Sequence, residues 1–275
     1  MASHSPAPRA TIAVLGAGRL GTMLAGSLRA AGFDVRGPLD RHDDIPDVDI
    51  AIICVPDAAI PEAAARARAH ARLVGHVSGA TPLTDVDFSI HPLQTFTGTE
   101  DPHVFDGIGA AIAGRTPEAL ATADELARAL GAHPFEIDDA HRASYHAAAS
   151  FASNYLLTLL DAAELLAQAA GVSDPRDLLA PLVRQSVDNW QARGARAALT
   201  GPIVRGDVET VERQRDAAER ENLDALFDAL AEATGEIVRA GDASGDGVST
   251  RSLRSLAQRT NDGAQRASGS MEETP

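Results

Sequence analysis

Three glycines near the start of the chain constrain its fold more than any other feature. Gly16, Gly18 and Gly21 form a GxGxxG pattern between the apolar run Thr11–Leu15 and a helical pattern. In that setting the first glycine permits a tight turn, the second lets the backbone approach a pyrophosphate, and the third lets the helix pack on the strand. Free N–H groups at the helix N-terminus would hold the anion. The predicted dinucleotide site comprises Gly16, Ala17, Gly18, Arg19, Leu20 and Gly21. A glycine-rich turn without a ligand is the alternative.

Short apolar runs alternate with helical patterns up to residue 137. This alternation indicates βαβ units. We therefore predict an α/β fold, with a doubly wound, mostly parallel sheet of Rossmann type at residues 9–137. The predicted strands are Thr11–Leu15, Phe33–Gly37, Asp49–Val55, Leu73–Val77, Phe88–His91, Gly109–Ala113 and Pro134–Ile137, and the predicted helices lie at about 19–31, 57–71 and 117–131.

After residue 137 the apolar residues recur at helical spacing. One long helix is predicted at His141–Ala170, a second from Pro175 to about Trp190, and further helical sequence from Asp207 to Ala240. An all-helical C-terminal domain is thus expected at 138–260. It includes a linker at 241–249 and a short helix at Thr250–Gln258. Residues 261–275 are polar and without periodicity, which predicts a disordered tail.

Composition excludes several classes of function. Acidic residues outnumber basic ones 39 to 24, giving a net charge of −15. Binding to a nucleic-acid backbone needs a concentrated basic surface, so no nucleic-acid partner is expected. All 24 basic residues are Arg, which excludes a Schiff-base or proton-donating lysine. Cys54 lies in an apolar run and is interpreted as a buried structural thiol. The histidines form no ligand-spaced cluster, so we expect no metal.

The sequence also bears on location. No apolar stretch approaches the roughly 18 residues of a membrane span. Residues 1–8 lack the basic start and apolar core of a signal peptide. We therefore expect a cytoplasmic protein that has no membrane partner.

The end of the second predicted strand should contact the adenosine ribose of the cofactor. A site for NAD carries Asp or Glu about 20 residues after the first glycine, whereas the 2′-phosphate of NADP needs Arg. That position is Arg36, and Arg41 follows after a short loop. NADP is therefore the expected cofactor, while Asp34 and Asp40 leave NAD open. A methyltransferase would be expected to carry an acid at this strand end, so that use of the turn is the weaker interpretation.

Further motifs follow the glycines in a fixed order. They are ICVPD at 53–57, VSGA at 77–80, HPLQTF at 91–96, HRxxYH at 141–146, SNY at 153–155 and LTGPxxRGD at 199–207. With them, residues 10–258 resemble the Rossmann-like oxidoreductases that carry a helical C-terminal domain of unknown function. More broadly they resemble prephenate dehydrogenase, pyrroline-5-carboxylate reductase, ketopantoate reductase and the 3-hydroxyacid dehydrogenases.

That resemblance implies a nicotinamide-binding domain, a helical domain that forms a homodimer, and an active site in the cleft between the two domains. It implies no substrate. The chain departs from the 3-hydroxyacid dehydrogenases and ketopantoate reductase, which use a lysine one turn before an asparagine on the first long helix of the second domain. Here Ser150 stands one turn before Asn154. Another residue must therefore move the proton.

Reduction of a carbonyl or imine leaves a negative charge that needs a proton donor, most often histidine. His91 is the last residue of a predicted strand, at the carboxyl edge of the sheet, and its HP dipeptide resembles the active site of prephenate dehydrogenases. The alternative is that His91 only caps the strand. Ser78 ends the preceding strand, near the expected nicotinamide, and is a candidate both for catalysis and for cofactor binding, unless it only forms a turn. Val55 and Pro56, after the third strand, are also assigned to the cofactor.

A polar stripe on the predicted long helix adds candidates. At about 100° per residue, one face carries His146, Ser150, Asn154, Thr158 and Asp161. His146 and Asn154 are catalytic candidates and Ser150 is a substrate-binding candidate. A solvated helix face is the alternative.

The LTGPxxRGD loop adds a second substrate-binding candidate. Arg205 could hold a substrate carboxylate in a bidentate pair, with Thr200 beside it in the loop. Asp207 could cap the next helix.

Together these features predict an NAD(P)-dependent oxidoreductase acting on a small C=O or C=N compound, including 2- and 3-hydroxy acids. A non-catalytic dinucleotide sensor is the alternative, and a deazaflavin as redox partner stays open.

Overall fold

The structure, a computed structural model, describes residues 10–242. The predicted helix Thr250–Gln258, the predicted tail at 261–275 and most of the predicted linker lie outside these residues. The chain divides into two compact units, with the boundary between Tyr155 and Leu156. The sequence placed that boundary at 137/138. The helix after residue 141 belongs with the first unit because its Arg142 and Tyr145 are hydrogen-bonded to a strand of the sheet.

The first unit contains a seven-stranded sheet with the order β2-β1-β3-β4-β5-β6-β7. Neighbouring strands are parallel except for β5 and β6, which are antiparallel. The order reverses between β1 and β3, which is the topological switch point of a doubly wound fold. The predicted fold class is confirmed. The strands are β1 Thr11–Leu15, β2 Asp34–Leu39, β3 Val48–Ile53, β4 Ala71–His76, β5 Phe88–Pro92, β6 Gly109–Gly114 and β7 His133–Glu136.

Helices cover both faces of this sheet, which is why its central strands are apolar at nearly every position. They are α1 Arg19–Ala30, α2 Ile60–Ala67 after a short 3-10 turn at Asp57–Ala59, and α3 Pro117–Ala129. On one face Leu24, Leu28 and Leu126 are buried against the sheet. On the other, Ile60 and Ala64 of α2 are buried. The apolar spacing of each helix therefore fixes which side of it meets the sheet.

The prediction of one helix at His141–Ala170 is wrong. The structure has two helices, α4 Arg142–Ala152 and α5 Asn154–Ala169. Ser153 between them has φ −125° and ψ −78°, which is not helical. Its hydroxyl donates to the carbonyl of Ala149 at 2.7 Å, and such a side-chain bond competes with the backbone ladder. The polar stripe that was expected on one continuous helix is therefore divided at this point.

The second unit is helical, as predicted. It contains most of α5, then α6 Pro175–Ala198, α7 Pro202–Arg205, α8 Val208–Arg220 and α9 Asp224–Asp242. A bidentate pair joins α8 to α9, with Arg215 donating to both carboxylate oxygens of Asp228 at 2.9 and 3.0 Å. Across residues 10–242, none of the helices is both long enough and apolar enough to span a bilayer.

Candidate active site

The glycine loop joins β1 to α1. A Cβ on Gly16, whose φ is +118°, would overlap the carbonyl oxygen of Cys54, and a Cβ on Gly21 would overlap the carbonyl oxygen of Gly16. Gly18 differs, because a Cβ there would meet nothing within 4 Å. Packing within the protein thus requires the first and third glycines, whereas the second faces open space that a ligand could occupy. Burial raises the pKa of the Cys54 thiol to about 12, which agrees with a structural role.

Gly18 is also the N-cap residue of α1. Within the described residues no side chain caps this helix, and its first turn carries no acidic residue. The first N–H groups of a helix have no partner in the helix itself. They and the helix dipole favour an anion at this end. The loop thus has the geometry of an anion cradle that begins at Gly18.

A cleft of about 370 Å³ opens beside this loop, at the carboxyl ends of β1, β2 and β3. Its floor is apolar, and its rim carries Arg41 and Arg66 together with Asp40 and Glu62. Arg66 donates to the carbonyl oxygens of Arg41 at 2.8 Å and Asp43 at 3.1 Å, which holds the loop after β2 in place. The cleft is lined by Leu15, Gly16, Leu39, Asp40, Arg41, Ile45, Val55, Pro56, Ala59, Glu62, Ala63 and Arg66.

Arg36, expected at the end of β2, lies outside this cleft. The strand continues to Leu39, whose carbonyl accepts the N–H of Gly16 at 2.8 Å. Arg36 is instead paired with Ala13 in mid-strand, and its guanidinium forms an exposed ion pair with Asp34 at 2.9 Å. The predicted strand was two residues too short at this end, so Arg36 lies three residues before the end of β2 rather than close to it.

The next strands along this edge bring two histidines into the site. β4 ends with His76, whose Nδ1 accepts the N–H of Ser78 at 3.2 Å and whose Nε2 lies 3.3 Å from the carbonyl oxygen of Pro82. Nε2 of His76 therefore carries the proton. The Ser78 hydroxyl accepts the N–H groups of Ala80 at 3.1 Å and Thr81 at 3.0 Å, so it forms the turn after β4.

His91 is the penultimate residue of β5, which runs parallel to β4. Its Nδ1 lies 2.6 Å from the hydroxyl of Tyr145 on α4. The ring centroid of His146 lies 6.0 Å from that of His91. A Cβ on Gly79 would be 2.9 Å from His91 Nε2 and 3.0 Å from His146 Nδ1. A glycine at this position lets both imidazole rings converge on the edge of the sheet.

The surroundings of His91 keep it neutral. Burial, the nearby His146 and the charge of Arg142 lower the pKa of His91 to about 4. Burial raises the pKa of Tyr145 to about 12. At neutral pH the pair is therefore an uncharged imidazole and an uncharged phenol.

A buried arginine, Arg142, also joins α4 to β5. Arg142 on α4 donates to the Ser89 hydroxyl at 2.7 Å and to Asp139 at 2.6 Å. The side chain of Arg142 is 3% exposed, and Ser89 is fully buried. Asp139 also accepts the N–H of Leu83 at 3.1 Å. This network fastens the start of α4 to β5 and to the loop that precedes β5.

The loop after His91 reaches the start of α1. Glu100 accepts the Thr97 hydroxyl at 2.6 Å and the N–H of Gly98 at 2.9 Å. These hydrogen bonds, Thr97's above all, hold the pKa of Glu100 at about 2. Gly98 lies against Arg19, where a Cβ would be 3.3 Å from the arginine Cγ. The strand that bears His91 is thus connected to the glycine loop through an ordered turn.

The structure does not gather all the predicted residues. In the first unit Asn154 is exposed and Ser150 is half-buried. In the second unit Thr200 and Arg205 are exposed, and Asp207 caps α8 by accepting the N–H of Thr210 at 3.1 Å. Across residues 10–242, His, Cys, Asp and Glu form no group of three or more that could hold a metal ion.

Three contributors were missed from the sequence, namely Tyr145, Arg142 and Asp139. Two of them stand in the HRxxYH motif, which was noted without a role for either residue. Their spacing of three residues, which places both side chains on one helix face, was the signal available.

The chain is similar to known proteins both in sequence and in fold. Residues 108–234 match the family model described as a domain of unknown function, DUF2520. The fold is similar to that of a candidate NADP oxidoreductase from Bacteroides fragilis, with 23% identity, a TM-score of 0.70, and coverage of 82% of this chain and 98% of that one. It is also similar to protein TM1727 from Thermotoga maritima, with 22% identity, a TM-score of 0.68, and coverage of 84% and 99%.

A more distant structure is a variant imine reductase from Myxococcus stipitatus in complex with NAD⁺. It shows 14% identity and a TM-score of 0.53, with coverage of 89% of this chain and 98% of that one. A comparison with curated protein sequences gives no match. These findings agree with the resemblance drawn from the motifs: the fold is similar to that of Rossmann-type oxidoreductases, and residues 108–234 match a domain of unknown function.

Proposed function

We propose that this protein is an NAD(P)-dependent oxidoreductase that acts on a small C=O or C=N compound, including 2- and 3-hydroxy acids. The observation that carries the proposal is the open face of Gly18, at the same sheet edge as the His91–Tyr145 pair. Active sites of open α/β sheets lie at this edge, next to the switch point. The names of two proteins with this fold refer to NADP or NAD⁺, which supports the cofactor class.

The glycine loop would hold the cofactor pyrophosphate, with the backbone of Gly18 nearest to it. Val55, Pro56 and Ser78 end the neighbouring strands and would lie along the rest of the cofactor. Arg41 on the cleft rim would bind the 2′-phosphate of NADP. Within residues 10–242 its guanidinium has no ion-pair partner, which favours NADP over NAD. When bound, the nicotinamide supplies or accepts a hydride.

The remaining chemistry falls to the side chains of the chain itself. Reduction leaves negative charge on the substrate oxygen or nitrogen, and His91 is proposed to donate the proton from Nε2 to that atom. His146, which converges on the same edge, is the proposed proton link to solvent. Asn154 is retained as a proposed catalytic residue and Ser150 as a proposed substrate ligand. The substrate-binding roles of Thr200 and Arg205, which belong to the second unit, stay predictions.

A substrate screen tests this function. The full chain is incubated with NADPH and then NADH, together with small 2-oxo acids, aldehydes and cyclic imines, and cofactor consumption is followed by absorbance. We expect turnover with at least one compound, lowered about 100-fold or more in His91→Gln. The exposed His103→Gln is the matched control and should retain full turnover. Binding of the cofactor without any turnover across the panel would favour a non-catalytic sensor.

We also propose that the protein is a cytoplasmic homodimer. Large apolar side chains on α5 and α6 are exposed, among them Leu157 at 62%, Leu182 at 64% and Trp190 at 60%. Of these, Leu182 and Trp190 line a groove of about 350 Å³ within the second unit. A two-fold interface between identical chains would bury this surface.

A further inference from the structure

We propose that Tyr145 is a positioning residue that fixes His91 in the tautomer protonated at Nε2. Neutral imidazole has two tautomers, and the hydrogen bond at one nitrogen decides which nitrogen carries the proton. If the Tyr145 hydroxyl donates to Nδ1, that nitrogen is an acceptor and Nε2 must carry the hydrogen. The consequence for catalysis rests on the proposed function, whereas the tautomer itself does not.

The acid–base properties of the two groups identify the donor. The Tyr145 oxygen and His91 Nδ1 are 2.6 Å apart, which is within hydrogen-bond distance. A phenol is a stronger acid than a neutral imidazole, and an imidazole nitrogen is a better acceptor than a phenol oxygen. The hydrogen therefore belongs to Tyr145, which donates it to Nδ1.

A second bond between the same elements keeps the hydroxyl in place. Ser89 and His91 are two residues apart on β5, so their side chains share one face of the sheet. Arg142 and Tyr145 are three residues apart on α4 and share one face of the helix. The buried Arg142–Ser89 bond and the Tyr145–His91 bond therefore join α4 to β5 at two neighbouring positions. The buried Arg142–Ser89 bond fastens α4 to β5 and thereby holds the Tyr145 hydroxyl beside His91.

The consequence of the Tyr145 hydrogen bond appears at the other nitrogen of the His91 ring, Nε2. His91 Nε2 lies beside Gly79, on the side to which His146 Nδ1 also points. With Nδ1 occupied by Tyr145, Nε2–H is the only donor that His91 presents there. Such a donor suits a substrate atom with a lone pair, namely a carbonyl oxygen or an unprotonated imine nitrogen. An iminium cation has no acceptor at that atom and would not be bound in this way.

Nitrogen-15 NMR of the unliganded full chain tests the tautomer directly. Long-range couplings to the ring protons distinguish a protonated from an unprotonated nitrogen in each histidine. At neutral pH we expect His91 to be protonated at Nε2 alone. His76 is an internal control, because a backbone N–H already fixes its Nδ1 as an acceptor. A protonated Nδ1 in wild-type His91 would overturn the inference.

The variant Tyr145→Phe should release this constraint. The His91 signals should shift towards a mixture of tautomers, while those of His76 stay unchanged. Tyr155→Phe, which removes the only other phenol of the chain from an exposed position, is the matched control and should alter neither. An unchanged His91 tautomer in folded Tyr145→Phe would also overturn the inference.

Kinetics separate this inference from the proposed function. With any substrate found, Tyr145→Phe should lower kcat about tenfold or more and leave the cofactor Kd unchanged, because a misplaced proton affects only the chemical step. Restricting the tautomer requires no substrate, so a chain with the expected NMR signals and no turnover would contradict the oxidoreductase proposal alone. Turnover that is unaffected by Tyr145→Phe would contradict the positioning role alone.

Discussion

Arg36 lies within β2, three residues before its end, whereas Arg41 lies two residues beyond it and lines the cleft beside the glycine loop. Of these two similar side chains, Arg41 lines the cleft and Arg36 does not. The strand reaches further than its sequence suggests, and this shift of a few residues changes which arginine is expected to recognise a 2′-phosphate.

Replacing each arginine in turn tests that difference. A charge-assisted bidentate pair with a 2′-phosphate contributes about 1.5–3 kcal/mol, or roughly a 10- to 150-fold preference for NADPH over NADH. Arg41→Ala should remove most of this preference without weakening NADH binding. Arg36→Ala is the matched control and should preserve it. Tighter binding of NADH by the wild type would assign the ribose to Asp40 instead.

The low pKa of His91 predicts how stability depends on pH. The ordinary pKa of histidine is about 6.5, and that of His91 in the fold is about 4. Between these values the unfolded chain binds a proton that the folded chain does not, so stability falls as the pH is lowered from 6.5 to 4. The loss is about 3 kcal/mol at most, and burial of His76 acts in the same direction.

Urea unfolding at several pH values measures this loss. His91→Gln should flatten the dependence between pH 6.5 and 4, because it removes the group that binds a proton only in the unfolded chain. An equally steep dependence in His91→Gln would refute the assignment. The titratable or charged groups that face His91 are Tyr145, His146 and Arg142 on α4, His76 on β4 and Asp57.

The burial of Arg142 predicts that two variants, each lacking one ion pair, lose different amounts of stability. Asp139→Ala leaves the buried Arg142 without its carboxylate, whereas Asp124→Ala breaks an exposed pair with Arg128. Losing one partner of a buried pair costs about 3–5 kcal/mol, and Asp139 should lie at the lower end because it is 45% exposed. The exposed pair should cost much less, because solvent screens its charges. Equal shifts in the denaturant midpoint of the two variants would contradict the structural role of the Arg142–Asp139 pair.

The apolar groove on the second unit predicts the state of assembly. Leu182→Glu places a charge among the exposed apolar side chains of α5 and α6, and should convert a dimer to single chains. Gln185→Glu adds the same charge on α6 outside the groove residues, and should leave the dimer intact. Light scattering measures both. A wild-type mass equal to that of one chain at micromolar concentration would contradict the proposed homodimer.

Local sequence rules predicted the architecture well because they act over short distances. The glycine loop and the alternation of strands and helices follow from backbone freedom and apolar spacing, and the structure confirms both. The errors occur where another interaction decides the outcome. Gly37 and Pro38 are typical of a turn, yet β2 continues through them to Leu39. Ser153 is compatible with a helix, yet its hydroxyl bonds to Ala149 and the helix ends there.

The candidate site could be predicted only in part. Its strand-end residues, His91 and Ser78, are recognisable because the carboxyl edge of a parallel sheet is a frequent ligand site. Tyr145 was visible as part of a motif, but its partner His91 is 54 residues away. No periodicity connects residues on two elements, so packing alone brings this pair together. The same is true of Arg142 and Ser89.

The central claim is that a nicotinamide dinucleotide binds against Gly18. Calorimetric titration of NADPH and NADH into the wild type, Gly18→Ala and Gly26→Ala tests it most directly. Both glycines have open space where a Cβ would be added, and both belong to α1 or its cap, so neither change should disturb the fold. We expect the wild type and Gly26→Ala to bind the cofactor equally, and Gly18→Ala to bind it more than about tenfold more weakly, a loss of about 1.4 kcal/mol. Equal affinity in all three proteins, or no binding of either cofactor to the wild type, would contradict the account.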